Sequence, residues 1–185
     1  MSTWNPERKS WLRGLMLAAL LLLVLPPALD AEESATLDIE RFTLRITDET
    51  GAISHVLRGD RLQQFDPLGY QRTDNPRLEL RADGTVDWIW TAPLALHYPV
   101  EQRLELLGLT EGLRLARPGR SRARIETSDV TINTDTQRVS TEARATRVEP
   151  GLFMTGIGMH ADLPADTIEL HRDVRTVYSS QGEQE

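Results

Sequence analysis

The body of this chain is predicted to be all-β, an open antiparallel meander of short strands, on three observations. Apolar residues recur with period two, clusters of turn-forming residues separate those runs, and no helical stripe follows the first thirty residues. The alternating runs are Phe42, Leu44, Ile46; Leu78, Leu80, Ala82; Val86, Trp88, Trp90; Leu94, Leu96, Tyr98; and Ile168, Leu170. Turns are predicted at Asp48 to Gly51, Asp66 to Gly69, Ala82 to Gly84, Arg117 to Gly119 and Glu149 to Gly151, where Gly, Pro and Asp supply the backbone angles that strands avoid.

In chain order, residues 1–10 carry Arg8 and Lys9 and read as a cytoplasmic amino terminus, by the charge rule for membrane proteins. Residues 14–29, GLMLAALLLLVLPPAL, are uncharged. At ~1.5 Å rise they cover roughly 24 Å of a ~30 Å hydrocarbon core. Trp11 and Leu12 lengthen the run while Arg13 snorkels, which gives a transmembrane anchor over 11–29. A cleaved signal peptide competes, since Ala28-Leu29-Asp30-Ala31 loosely resembles a cleavage site. Either way the body is exported. A short acidic linker (30–36), a β body (37–180) and a polar tail (181–185) follow.

Within the body, Leu37 and Ile39 differ in parity from Phe42, Leu44 and Ile46, so a bulge or bend is predicted at Glu40-Arg41. A weak internal repeat is more telling. TAPLALHYPVEQRLELLG (91–108), TSDVTINTDTQRVSTEA (127–143) and GIGMHADLPADTIELHR (156–172) each place a polar turn between two strand patterns. Stacked hairpins of this kind build an extensible sheet or elongated roll.

Composition removes whole function classes. Setting aside Arg8, Lys9, Arg13, Glu7 and Asp30 leaves 18 basic against 26 acidic groups, a poor surface for nucleic acid. With no cysteine, disulfides, thiolate metal sites and cysteine nucleophiles are excluded. His55, His97, His160 and His171 have no metal-site spacing, so no metal or cofactor is predicted, and His55 and His97 are read as satisfied or surface-facing strand residues. There is no nucleophile elbow, P-loop or dinucleotide fingerprint, so no catalytic residue is assigned and an enzyme is not expected. Arg58-Gly59-Asp60 falls in a strand pattern and is read as a chance tripeptide.

Two features keep two readings each. Arg114, Arg117, Arg120, Arg122 and Arg124 form either a solvated hairpin tip or a contact for phosphorylated or acidic groups. The apolar alternation of Trp88, Trp90, Ile168 and Leu170 is either an ordinary interior or a lining for hydrocarbon chains, each methylene moved from water being worth roughly 0.8 kcal/mol.

The residues resemble a known family, the lipopolysaccharide export system proteins LptC of Gram-negative bacteria. The resemblance rests on the anchor, GAISHVLRGDRL (51–62), DNPRLEL with DGTVDWIWTAPLAL (74–96), LELLG (104–108), RIETSDVTINTDTQRVSTE (124–142), GLFMTG (151–156) and IELHRDVRTVY (168–178). It implies a periplasmic, V-shaped antiparallel β-jellyroll of the OstA/LptA-like type on one inner-membrane helix. It implies a conduit that receives lipopolysaccharide from the LptB/LptF/LptG transporter and passes it to LptA, with the anchor set against transporter helices. Family positions on the lipid path fall on Phe42, Thr73, Ile168 and Tyr178, and Trp88 with Ala92 matches a Trp-x-x-x-Ala strand; Leu44, Trp90 and Leu170 are added here by alternation. Thr73 lies in a turn-rich stretch. A family glycine is replaced within Arg144 to Arg147, and five residues are inserted between Gly156 and Ile168.

A terminal strand with unpaired backbone groups suits such a handover, because a partner strand added there continues the sheet. The docking edge is placed on Ile168, Leu170, Arg172, Val174 and Tyr178, with His171, Arg172, Asp173 and Arg175 protecting the edge or selecting the partner. The alternative is an exported structural β-module that pairs with proteins by its edge and carries no lipid.

Overall fold

The structure, a computed structural model, describes residues 35–179. The predicted cytoplasmic terminus, the anchor, most of the linker and the polar tail lie outside the described residues. Among the described residues no helix is long and apolar enough to cross a membrane.

The described chain forms β1 (Leu37–Thr47), β2 (Ile53–Phe65), β3 (Tyr70–Asp74), β4 (Arg77–Ala82), β5 (Thr85–Thr91), β6 (Leu94–Tyr98), β7 (Arg103–Arg114), β8 (Ala123–Asn133), β9 (Arg138–Glu149), β10 (Leu152–Asp162) and β11 (Thr167–Tyr178), with a short 3-10 turn at Asp66–Leu68. All pairings are antiparallel. β2 pairs with β3 through its second half and with β4 through its first, while β7 pairs with β6 and β5 in the same divided way. β3 with β4, and β5 with β6, are therefore each one long strand cut in two. The chain is a meander of long layers, and β1 and β11 are the terminal ones.

Each layer is bent near its middle. Left-handed backbone occurs there at Arg41 (φ 51°), Asn75 (49°), Gly108 (82°), Asp129 (50°), Gly158 (75°) and Asp173 (50°). Ladders shift register at the same level, between Leu106 and Leu109, Glu126 and Thr131, and Ile157 and Met159. Asp and Asn visit this conformation more readily than most residues, and Asp129 also ties the crease across two strands by accepting a 2.9 Å hydrogen bond from the Gly108 amide of β7. The row is a crease that folds one half of the sheet over the other. At Glu40-Arg41 the predicted disruption is a bend without an inserted residue, since Glu40↔Arg61 and Phe42↔Gly59 keep one register.

The folding leaves two rows of turns, one on the free margin of each half. One row comprises residues 66–69, 99–102, 134–137 and 163–166; the other comprises 48–52, 83–84, 115–122 and 150–151. The three repeated segments are the hairpins β6–β7, β8–β9 and β10–β11, and each four-residue turn ends in a left-handed residue: Gln102, Gln137 and Asp166. The turns are hydrogen-bonded in series, Thr134 N donating to Gln102 O at 2.8 Å and Leu163 N to Gln137 O at 3.4 Å. Repetition in sequence is thus stacking in space.

The two halves close on an apolar interior of Leu78, Leu80, Leu104, Leu106, Ile125, Ile132, Val139 and Met159 around Trp88 and Trp90. The two indoles stack with centroids 5.6 Å apart. Trp90 stands opposite Gly112, where a Cβ would lie 2.6 Å from the ring, so only glycine admits it. Phe42 covers Gly59 in the same way, with the Thr73 methyl pressed against that glycine.

Candidate functional site: the interior and its two rims

The candidate lining residues fall into three groups. Trp88, Trp90 and Thr73 are sealed, at 1%, 0% and 1% exposure. In this structure they are the packed floor of the roll, because the crease brings both halves onto them. Thr73 is also not in a turn but inside β3, opposite Leu62 and Ala95. Phe42, Leu44, Ile168 and Leu170, with Ala92, are half-buried and pack against this floor, two of them in β1 and two in β11. They border the interior at its two terminal layers. Tyr178 is 80% exposed and Val174 48% exposed.

The even-numbered set from Ile168 to Tyr178 therefore does not form one continuous buried stripe. Asp173 takes φ 50° and the ladder shifts between Thr155 and Ile157, so the zigzag is interrupted between Leu170 and Val174. Sequence parity assumes an unbroken strand, and the crease breaks it. Among the described residues β11 pairs with β10 alone and β1 with β2 alone, so no described strand pairs with the outer backbone row of either. Within residues 144–147, Ala145 is buried opposite Gly156.

Neither reading of the arginine cluster holds for its inner members. Arg114 is 3% exposed; its guanidinium bonds Glu149 Oε1 at 3.0 Å, Asp166 Oδ1 and the Ser121 carbonyl, and lies 6.0 Å from the Trp88 ring centroid. Arg120 pairs with Asp166 and Asp87, and Arg117 with Asp87 and the Thr85 carbonyl. Arg124 pairs with Glu111 and Glu126. The sequence signal was misleading because the partners lie up to 52 residues away. Physically, Arg114 and Arg120 belong to the second rim and Asp166 to the first, so the cluster is a clasp across the gap between rims.

Toward β1 the rims stand apart around a cavity of about 750 Å³ bordered by Leu44, Ile46, His55, Gln71, His97 and Gln102. His55 is 4% exposed, so it is not surface-facing: Nδ1 lies 2.7 Å from Ser54 Oγ, and the Thr134 backbone stands beside the ring. Burial lowers its pKa, against smaller opposing effects of the Thr134 backbone and the Asp135 carboxylate; burial also lowers that of His97. An unfolded imidazole titrates near ~6.5. Below that pH the unfolded chain binds more protons than the fold, so stability is full above it and declines as pH drops through and beneath it. The thermal midpoint is expected to be level above about pH 7 and to fall toward about pH 5.5, and the decline should be blunted in the His55→Gln/His97→Gln double variant. A midpoint flat from neutral to acid in the parent chain would contradict this account.

Comparison with known proteins agrees with these features. The family described as "Lipopolysaccharide-assembly, LptC-related" matches residues 15–179. Among solved structures, the fold is similar to that of LptH from Pseudomonas aeruginosa, the LptA homologous periplasmic component of the conserved lipopolysaccharide transport device. The TM-score is 0.57 at 10% identity, covering 68% of this chain and 95% of that one. At that identity the likeness is one of fold. No curated protein matches the sequence.

Proposed function

Because the chain belongs to the lipopolysaccharide-assembly, LptC-related family and so has a role in lipopolysaccharide transport, we propose that it is an inner-membrane-anchored, non-enzymatic conduit. It takes lipopolysaccharide from the LptB/LptF/LptG transporter at its β1 end and passes it to LptA at its β11 end. Residues 11–29 would hold it to the inner membrane, with 37–180 in the periplasm.

The observation that carries this reading is the meander itself. Its hydrogen-bonding direction runs from β1 to β11, both terminal strands keep an outer backbone row unpaired among the described residues, and the apolar interior reaches each end through Phe42 and Leu44 or Ile168 and Leu170. A partner strand paired to β11 would prolong both sheet and interior in one step. Acyl chains would enter along the half-buried residues, and Ile168, Leu170, Arg172, Val174 and Tyr178 would form the docking edge.

A photo-crosslinker at Ile168 is expected to capture lipopolysaccharide in cells, and one at the exposed neighbour Glu169 to capture far less. Equal labelling at both positions would remove the interior from the path. The sealed Trp88 and Trp90 favour a second reading, a structural β-module that pairs by its edge and carries nothing. That module would yield no lipid adduct at either position while still crosslinking to a protein partner through β11.

A further inference from the structure

We propose that Asp166 is the catch of a two-position latch between the rims. Closed, it holds Arg114 and Arg120 across the gap. Released, it yields Arg120 to Asp87, which stands on that arginine's own side, and the rims part at the β11 end. The latch is a property of the fold alone. Its use, letting a lipid through the closed part of the interior, rests on the conduit reading.

The gap is bridged by very little. Among the described residues, Asp166 is the one residue of the first rim in an ion pair with the second. Its turn hangs from the neighbouring turn by Leu163 N donating to Gln137 O at 3.4 Å. The layers beneath can flex, since the crease crosses β10 at Gly158 and β11 at Asp173, both left-handed, and such strand positions absorb a hinge motion. β11 is moreover paired on one side only among the described residues.

Opening strands no buried charge. Arg114 keeps Glu149 Oε1 at 3.0 Å and the Ser121 carbonyl at 3.1 Å. Asp166, already 40% exposed at its side chain, passes into water. A buried pair ordinarily resists separation because one partner is left uncompensated. Here each member has a second place to go.

The closed position also leaves two hydrogen-bonding atoms unmet around Arg120. Its Nε donates to Asp166 Oδ2 at 3.2 Å and its Nη1 to Asp87 Oδ2 at 3.4 Å, so the guanidinium is shared between the rims. Nη2 lies 2.7 Å from Asp166 Oδ1 but out of line for a hydrogen bond. Nη2 and Asp87 Oδ1 are both buried without a hydrogen-bond partner, and Arg117 Nε comes no nearer to that oxygen than 3.4 Å. Once Asp166 withdraws, Arg120 is free to set Nη1 and Nη2 against the two oxygens of Asp87, the parallel fork that guanidinium and carboxylate favour. Both unmet atoms are then satisfied, which offsets what is lost at Asp166.

The chain has no cysteine, so Arg122→Cys and Ala165→Cys, exposed positions on the facing turns, can carry a pair of spin labels on the full chain held in amphipol. Their separation reads the latch, and a short distance is expected to dominate in the parent. Asp166→Asn should enlarge the longer-distance population about tenfold, the least that a hydrogen bond to a charged group is worth. Asp87→Asn should shrink it, because Arg120 loses its second partner while Arg117 keeps the Thr85 carbonyl at 3.0 Å. Opposite signs separate a latch from a brace. If both variants lengthen the distance, or Asp166→Asn leaves it unchanged, the latch is overturned and the conduit stands. Added lipopolysaccharide should lengthen the distance in the parent and less so in Asp87→Asn. Lipopolysaccharide that binds without moving the labels takes the seam out of the path and overturns the use assigned to the latch. Lipopolysaccharide that does not bind overturns the conduit, while opposed shifts in the two variants would still support the latch.

Discussion

Trp90→Ala is expected to lower the unfolding free energy by about 3–5 kcal/mol, the usual cost of removing a fully buried large aromatic. Trp90 has no exposed surface, stacks on Trp88 and lies on Gly112, whose missing side chain leaves nothing to swing into the hole. A domain of this size has about 5–15 kcal/mol in total, so the variant should be marginal or unfolded at 37 °C. Trp90→Phe should cost much less. The indole Nε1 has no hydrogen-bond partner, and phenylalanine deletes that unsatisfied donor while keeping most of the packing. Urea denaturation of both variants decides the matter. A loss below about 1 kcal/mol for Trp90→Ala would mean that the indole borders open space, which restores the lining role that its burial argues against.

How much of this was readable beforehand follows from which interactions are local. Period two, the turn clusters and the three hairpin repeats are properties of short windows, and they place the strands and the hairpin order. The bend at Glu40-Arg41 was visible because parity changes within ten residues. The bend at Asp173 was not, since Val174 and Tyr178 keep the parity of Ile168 and Leu170, and only the ladder with β10 shows the shift. Sealing of Trp88 and Trp90 depends on the second half folding over them, which period two cannot encode. The clasp was invisible for the same reason, as Arg114 finds Glu149 and Asp166 only after the crease forms. The burial of His55 is not legible in the sequence, because a strand pattern gives the face of a residue and not the depth of that face.

Crease and rims also bear on transport. The interior is filled at the middle layers and opens between the rims near β1, so under the proposed conduit a multi-chain lipid moving from β1 to β11 would have to part the rims or displace packed side chains. Parting the rims is cheaper where they are apart already. Toward β11 they are joined by ion pairs, and these pairs would set how readily that part of the proposed path yields.

Glu149→Gln/Asp166→Asn is expected to destabilise the fold by about 3 kcal/mol, whereas Arg114→Met should cost less than half as much. The asymmetry comes from what each change strands. Removing both carboxylates leaves a guanidinium whose side chain is 4% exposed, with the Ser121 carbonyl and the face of Trp88 as its remaining partners. Removing Arg114 leaves Glu149 paired with Arg147 and Asp166 paired with Arg120, so neither anion is stranded. Asp166 is 40% exposed at its side chain, which holds the figure at the low end for a broken buried pair. Acid should act in the same direction. Burial tends to raise the pKa of Asp166, but Arg120 and Arg114 outweigh it and hold the carboxyl below its ordinary value. Its contribution is therefore complete above the unfolded carboxyl pKa of ~3.9 and is lost as pH falls through the lowered value, well clear of the histidine window. Thermal denaturation of the two variants checks the asymmetry. If Arg114→Met proves the costlier of the two, the guanidinium holds the rims together by packing on Trp88 and not by charge.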